Sequence, residues 1–245
     1  MQEQHHGFGR GALRTLSLAL PLTTLLAGAG PLQAASRNYT INSFDAIRIE
    51  APVNVVVATG AGVSARAEGD QKALDRLRVE LSGRLLVVTM DRPQPGEKVG
   101  GAALLRLSTG TIERVVMTGG GSVTVDRMKG LRGEIISGGN GDVSVGTVDL
   151  DRMDLSLAGG GRVTLSGRTG VANIVVNGPG AVTAEPLRAR QANIVNQGPG
   201  SIALTAEVAA KISAAGSGDV MIAGKPACTV DQRGTGRILC GGESW

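Results

Sequence analysis

Apolar and polar positions alternate with a period of two along short stretches that each follow a Gly-x-Gly motif. In the stretch Thr118-Gly-Gly-Gly-Ser-Val-Thr-Val125, Val123 and Val125 are apolar and Thr124 between them is polar. This alternation is typical of a β-strand that buries one side and exposes the other. The motif recurs seven times, with its first glycine at Gly119, Gly139, Gly159, Gly178, Gly198, Gly216 and Gly234.

The nearly constant spacing of these glycines predicts a repeat protein in which each repeat is one coil. An aliphatic residue stands four positions before each first glycine, as at Val115 and Ile135, so a second strand precedes each motif. We expect the glycines to form a tight corner between the two strands, because glycine adopts a positive φ at little cost. The pattern therefore predicts an all-β fold, a right-handed parallel β-helix (β-solenoid) with coils of about 18–20 residues.

Residues 36–109 are less regular than the repeats that follow them. Strand-like runs flank a short helical segment, DQKALDRLRVE, and a loop is expected at Pro93-Gln-Pro-Gly96. We interpret residues 36–109 as irregular N-terminal strands of the solenoid and residues 110–245 as its regular repeats. A separate small domain at 36–109 is the alternative.

Residues 1–35 have the features of a secretory signal peptide. Arg10 and Arg14 precede the apolar stretch LSLALPLTTLLA, and small residues follow it as far as Ala35. That stretch is too short, and too disrupted by proline, for a permanent membrane span. We therefore expect an exported protein of the periplasm or outer cell surface, whose mature chain has no transmembrane anchor.

Composition and charge narrow the classes of partner. Aliphatic residues and alanine supply most of the apolar positions, and 38 glycines accompany them. The chain has 25 Lys and Arg residues against 21 Asp and Glu residues, and these charges are scattered along the sequence. A nucleic-acid-binding protein concentrates its cations on one surface and adds aromatic side chains for stacking. The sequence therefore predicts no nucleic-acid partner.

Four segments carry a resemblance to a known family. They are Phe44-Asp-Ala-Ile-Arg-Ile49, the valine-rich run Val53-Asn-Val-Val-Val57, the segment GDQKALDRLRVELSGRLLVV, and Gly216-Ser-Gly-Asp-Val220. With these segments the chain resembles the exported bacterial proteins described as "putative auto-transporter adhesin, head GIN domain", over nearly all of residues 40–240. The resemblance implies a right-handed β-solenoid at the envelope or cell surface. It implies no set of functional residues.

Few residues offer catalytic or metal-binding chemistry. The only histidines, His5 and His6, lie in the predicted signal peptide, so the mature chain lacks a histidine base or zinc ligand. The segment Gly138-Gly-Asn-Gly-Asp142 is similar to a calcium-binding repeat, but arginine occupies the position of its aspartate in two other coils. We interpret it as a structural turn, and we predict no metal and no cofactor.

The acidic residues do not form an obvious catalytic pair. Glycoside hydrolysis requires two carboxylates at a defined separation, and nothing in the sequence pairs the candidates in this way. Few aromatic residues are available to stack on sugar rings. We therefore predict no catalytic residue among the candidate carboxylates, which are Asp142, Asp149, Asp151, Asp154 and Asp219.

The two cysteines lie on either side of the last Gly-x-Gly motif. Cys228 and Cys240 are each six residues from Gly234, and both fall in the inward register of their strands. The last coil would therefore bring them face to face, and an oxidising compartment favours a disulfide between them. Two small buried thiols are the alternative.

We predict an exported, non-enzymatic β-solenoid that acts as an adhesin-like or scaffolding surface in the bacterial cell envelope. Its expected partner is an unidentified envelope or surface macromolecule, a protein or a polysaccharide. Two alternatives stay open: a carbohydrate-active enzyme or glycan-binding module on a β-helix, and an accessory protein of envelope stress or assembly. The open ends of the rod carry unpaired backbone groups, which also leaves end-to-end self-association open.

Overall fold

The chain winds into a β-solenoid of about six turns, with about 20 residues in each coil. This computed structural model describes residues 35–96 and 101–245. The seventeen strands of this part of the chain hydrogen-bond into one continuous sheet. The predicted all-β solenoid is confirmed. The predicted signal peptide lies outside the described residues except for Ala35, where the first strand begins.

Within residues 35–96 and 101–245, the strands and a single short helix follow in this order. The first part of the chain contains β1 (Ala35–Asn38), β2 (Ala46–Ile49), β3 (Asn54–Thr59), β4 (Ser64–Gly69), α1 (Gln71–Arg76), β5 (Leu77–Ser82), β6 (Leu85–Met90) and β7 (Ala103–Thr109). The repeats contain β8 (Arg114–Met117), β9 (Ser122–Ser137), β10 (Asp142–Leu157), β11 (Arg162–Val176), β12 (Ala181–Asn196), β13 (Ser201–Ala214), β14 (Val220–Gly224), β15 (Ala227–Gln232), β16 (Ile238–Cys240) and β17 (Glu243–Ser244).

Each regular coil has three faces. The parallel pairing of β10 with β9 runs in three segments of β10, residues 142–145, 147–150 and 152–157, and it is interrupted at Gly146 and Asp151. Exposed residues follow one another at these interruptions, which breaks the strand alternation and marks a corner. We call the segments after the Gly-x-Gly motif the first face, the next segments the second face, and those leading into the next motif the third face.

The interior is a stack of aliphatic columns. On the first face, the inward position four residues after the first glycine is aliphatic in all seven repeats and no more than 1% exposed. Each such side chain stabilises the fold by roughly 1.5–3 kcal/mol when it leaves water. The members of this column are Val123, Val143, Val163, Val182, Ile202, Val220 and Ile238.

The glycines of the repeat stack in one corner because successive coils touch there. A Cβ on either glycine of any Gly-x-Gly motif would lie within 3.0 Å of an atom of the preceding coil. On Gly119 the nearest atom is the Ala51 carbonyl oxygen at 2.5 Å, and on Gly198 one of the nearest is the Gly178 carbonyl oxygen at 2.6 Å. None of these fourteen glycines has a positive φ, so the expectation that they turn the chain through positive φ is wrong. What excludes a side chain is the closeness of the neighbouring coil.

Hydrogen bonds continue through this corner. The N–H of the second glycine in one motif donates to the carbonyl oxygen of the first glycine in the preceding coil. The N···O distance is 3.1 Å for Gly141 to Gly119, 3.1 Å for Gly180 to Gly159, and 3.3 Å for Gly218 to Gly198. Backbone hydrogen bonds between coils therefore continue through the corner between the third face and the first.

At the N-terminal end the chain order differs from the stacking order. β2 lies between β6 and β8, and β3 lies between β7 and β9, all in parallel pairs. The chain therefore forms the β2–β3 coil first, adds an outer layer from β4 to β7, and then returns to continue the stack at β8. Antiparallel strands cover the outer layer, since β4 pairs with β7, β1 with β4, and β5 with β6. Such pairing occupies backbone groups that an open edge would expose.

A disulfide and a short antiparallel strand close the C-terminal end. Cys228 in β15 and Cys240 in β16 are bonded, with their Cα atoms 6.3 Å apart. Cross-links that close a loop of this size typically stabilise a protein by about 3 kcal/mol. β17 doubles back and pairs with β16. The last coil is thus tied across its interior and partly covered at its edge.

The glycine corner yields a mutational test within a single motif. Gly121→Ala should lower the free energy of unfolding by about 3 kcal/mol, because its Cβ would overlap the Val53 carbonyl group and force two coils apart. Gly120→Ala is the matched control, because nothing lies within 4 Å of the added Cβ. Its effect should stay within about 0.5 kcal/mol. Denaturant unfolding of both variants measures the difference, and equal losses would contradict the stacking explanation.

Candidate binding groove

The second face carries a column of charged residues on successive coils. Lys129, Asp149, Arg168 and Arg188 are register neighbours on four adjacent strands, β9 to β12. Their side chains point outward: Lys129, Arg168 and Arg188 are exposed, and Asp149 is half-buried between two buried neighbours. Neighbouring parallel strands lie about 4.8 Å apart, so the column places charges at short, regular intervals along the solenoid axis.

Asp149 and Arg168 form an ion pair within this column. Arg168 Nε donates a hydrogen bond to Asp149 Oδ1 over 2.8 Å. This hydrogen bond, together with the charges of Arg168, Lys129 and Arg127, holds the pKa of Asp149 below its ordinary value. The carboxylate of Asp149 is therefore surrounded by positive charge, and it forms an ion pair with Arg168.

Arg188 has no such partner. Within residues 35–96 and 101–245 it forms no ion pair, and its register neighbours are Arg168 on one side and Thr205 on the other. Like charges in register on adjacent strands repel one another. Like-charge repulsion therefore disfavours the stacking of Arg188 on Arg168.

Arg188 stands where three shallow depressions meet, and we call their combined surface the Arg188 groove. The largest depression has a volume of about 570 Å³ and the others about 530 and 490 Å³. Four acidic residues also line it: Asp149, Asp151, Glu185 and Glu207. The cations that line the groove are Arg127, Lys129, Arg168, Arg188, Arg190 and Lys225.

A smaller depression of about 230 Å³ on the third face is less suited to binding. Ion pairs already engage most of its charges, with 2.6 Å between Arg114 Nε and Glu134 Oε2 and 3.7 Å between Arg132 Nε and Asp154 Oδ2. Asp45, which also lines it, is paired with Arg84. A ligand there would have to break these ion pairs, whereas Arg188 is free to receive one.

The candidate carboxylates are dispersed over all three faces. Asp142 and Asp219 accept the backbone N–H groups of Arg162 and Arg237 in the next stacked coil, at 2.8 and 2.9 Å. The backbone hydrogen bond from Arg237, followed by that from its guanidinium, lowers the pKa of Asp219. Both side chains thus fasten one coil to the next.

Asp154 on the third face is also engaged. It accepts hydrogen bonds from Asn173 Nδ2 at 2.6 Å and from Arg152 Nε at 3.0 Å. Partial burial raises the pKa of Asp154, but these hydrogen bonds and the nearby arginine charges outweigh it and leave the pKa lowered. Of the five candidates, only Asp149 and Asp151 therefore lie in the Arg188 groove.

The other residues singled out by the sequence lie elsewhere. The seven first glycines of the motifs follow one corner of the solenoid, and Cys228 and Cys240 lie in its last coil. In the part of the chain that the structure describes, no group of three or more His, Cys, Asp or Glu side chains is placed to hold a metal ion.

Sequence reasoning missed the arginines of the groove, although a signal for them exists. Lys129, Asp149, Arg168 and Arg188 stand nine or ten residues after the first glycine of their repeats. Alignment of the repeats therefore shows a column of charges at one position. These residues are about one repeat apart along the chain, so they look unrelated until the repeats are aligned.

The chain belongs to the family described as "putative auto-transporter adhesin, head GIN domain". The model of that family matches residues 43–226. The predicted family membership is confirmed. Membership implies an adhesin-like protein that is exported or at the surface.

Solved structures of similar proteins share the fold. A protein from Bacteroides fragilis described as a putative adhesin superposes with a TM-score of 0.78 at 19% identity, over 84% of this chain and 96% of that one. A protein from Parabacteroides distasonis described as a putative lipid binding protein gives 0.65 at 21% identity, over 85% and 97%. A putative adhesin from Parabacteroides merdae gives 0.61 at 18% identity, over 85% and 96%. At these identities the likeness shows the fold alone.

No curated protein sequence matches this chain. Among residues 35–96 and 101–245, no helix has the length and apolar character of a membrane span.

The repulsion between stacked arginines can be measured in the free protein. Arg188→Gln should raise the free energy of unfolding by about 0.5 kcal/mol at low ionic strength, because it removes a cation that faces Arg168. The gain should vanish in 1 M salt, where charges are screened. Arg162→Gln is the matched control on the first face, where Asp142 is close and no cation is in register, so no gain is expected. A loss of stability in Arg188→Gln would show that this arginine supports the fold.

Proposed function

We propose that the protein is exported and serves as a non-enzymatic adhesin-like or scaffolding module in the bacterial cell envelope, and that it binds a surface macromolecule through the Arg188 groove. The observation that carries this proposal is an unpaired arginine at the meeting point of three depressions, stacked on a second arginine. If position 188 contributed only to the stability of the fold, a neutral or acidic side chain would be favoured there.

The groove has the rigidity that a recognition surface requires. Except for that of Lys225, its charged side chains project from strands of the coils, and each coil is held to the next by backbone pairing and by the glycine corner. Sites built on regular elements hold their geometry more precisely than sites built on loops. A partner would therefore meet charges that are already arranged, with little ordering cost on the protein side.

The electrostatics of the groove weigh against the alternative of a glycoside-cleaving enzyme. Such an enzyme needs a carboxyl group whose pKa is raised, so that it can donate a proton to the leaving group. The pKa of Asp149 is shifted in the opposite direction by Arg168. Asp142, Asp154 and Asp219 are occupied with structural hydrogen bonds on other faces.

Export and binding can be tested with the full chain. The chain is expressed in a bacterium with an intact envelope, and the protein recovered from the cell fractions is tested for retention on envelope and host polysaccharides and proteins. We expect recovery outside the cytoplasm, retention on at least one of these materials, and no new reducing ends in any polysaccharide. Cleavage of a polysaccharide would favour the enzyme alternative, and retention on none of the materials would overturn the adhesin-like function.

A further inference from the structure

We propose that the ligand of the Arg188 groove is an acidic polysaccharide, bound as an extended chain along the solenoid axis with its carboxylates on Arg168 and Arg188. This inference rests on the proposed function and narrows it to one class of partner.

The cations of the groove follow the axis of the solenoid. Lys129 lies on β9, Arg168 and Arg188 lie on the adjacent strands β11 and β12, and Lys225 follows the end of β14 at the far side of the groove. Five strand spacings of about 4.8 Å separate β9 from β14, so the row is about 24 Å long. A row of this length fits several units of a linear polymer better than one small anion. The planar guanidinium groups of Arg168 and Arg188 match the geometry of carboxylates.

The acidic residues between these cations distinguish among polyanions. Asp151 and Glu207 line the same depression as Arg188, and Glu185 lines the next one. Nucleic acids and anionic membranes present dense negative charge, which such carboxylates would repel. A polysaccharide carries its carboxylates at intervals and hydroxyl groups between them. The hydroxyls can donate hydrogen bonds to Asp151 and Glu207 while the sugar carboxylates meet the arginines.

The groove has no aromatic side chain with which to hold a neutral sugar. Among the described residues the aromatics are Tyr39, Phe44 and Trp245, and none of them lines the groove. Stacking of sugar rings on aromatic faces is therefore not available there. Charge is the main interaction that this surface offers, so a charged glycan should bind more tightly than a neutral one.

Asp149 occupies Arg168 in the way that a ligand carboxylate would. Its Oδ1 accepts the hydrogen bond from Arg168 Nε, so a bound carboxylate competes with Asp149 for the same guanidinium. Removal of this carboxylate should therefore free Arg168 and strengthen binding. Asp154→Asn removes an equal charge from an ion pair on the third face and should give no such gain.

The test compares charge substitutions in the groove with equal substitutions on the other faces. The probes are polygalacturonate as a carboxylated polysaccharide, dextran as a neutral one, phosphatidylglycerol vesicles, and a single-stranded DNA oligonucleotide. For the full chain, exported and purified, we expect salt-sensitive binding to polygalacturonate and weaker or no binding to the other three. Arg188→Gln should weaken polygalacturonate binding at least about threefold, and Asp149→Asn should strengthen it by a similar factor.

Arg162→Gln is the control, because it removes the same charge from the first face and should leave the affinity unchanged. Equal losses in Arg162→Gln and Arg188→Gln would overturn the proposal in favour of attraction by net charge. Tighter binding to vesicles or DNA, or equal binding to dextran, would also overturn it. If polygalacturonate does not bind while the protein is still retained on another envelope material, the acidic-glycan inference fails and the adhesin-like function stands.

Discussion

Successive coils meet so closely at one corner of this solenoid that a carbonyl oxygen of one coil occupies the place where a Cβ of the next would lie. The N–H of the second glycine of a motif bonds to the first glycine's carbonyl oxygen in the neighbouring coil, and both contacts recur along the stack. Because every regular coil must pass this point, the constraint applies once per coil. Glycine is required there because the neighbouring coil leaves no room for a Cβ. Backbone conformation is not the reason, since none of these residues has a positive φ.

This corner sets the register of the rest of the coil. With the corner fixed, the inward positions of the first face coincide from coil to coil, and their aliphatic side chains pack as continuous columns. The outward positions also coincide, but packing places no demand on their identity. On the second face, the outward positions hold two arginines whose like charges repel each other. Arg188 lies in register with Arg168 and forms no ion pair among the described residues. Among the described residues, that combination is the clearest sign of a surface shaped by a ligand.

The sequence predicts those features that every coil must repeat. The spacing of the glycines and the aliphatic positions around them suffice for the solenoid, because each coil meets the same constraint of distance and burial. The corners at Gly146 and Asp151 could not be recognised in this way, since no close contact there demands one residue type in all coils. The placement of β2 between β6 and β8 also could not be predicted, because these strands are far apart in the sequence and a local pattern contains no information about their pairing.

The groove was hidden from sequence reasoning for a related reason. A column of charges at one outward position becomes visible only after the repeats are aligned, and a charged residue on a strand exposed to solvent is ordinarily there for solubility. What separates Arg188 from other surface cations is its unpaired state beside Arg168, which depends on side-chain contacts. The disulfide of the last coil, by contrast, joins two inward positions whose register the repeat pattern itself contains.

Scalar coupling across hydrogen bonds, measured by NMR, tests the central claim most directly. The account predicts a coupling between the amide nitrogen of Gly180 and the carbonyl carbon of Gly159, and between those of Gly141 and Gly119, because each pair bonds across adjacent coils. Couplings from Gly180 and Gly141 to carbonyl groups within their own coils would contradict it.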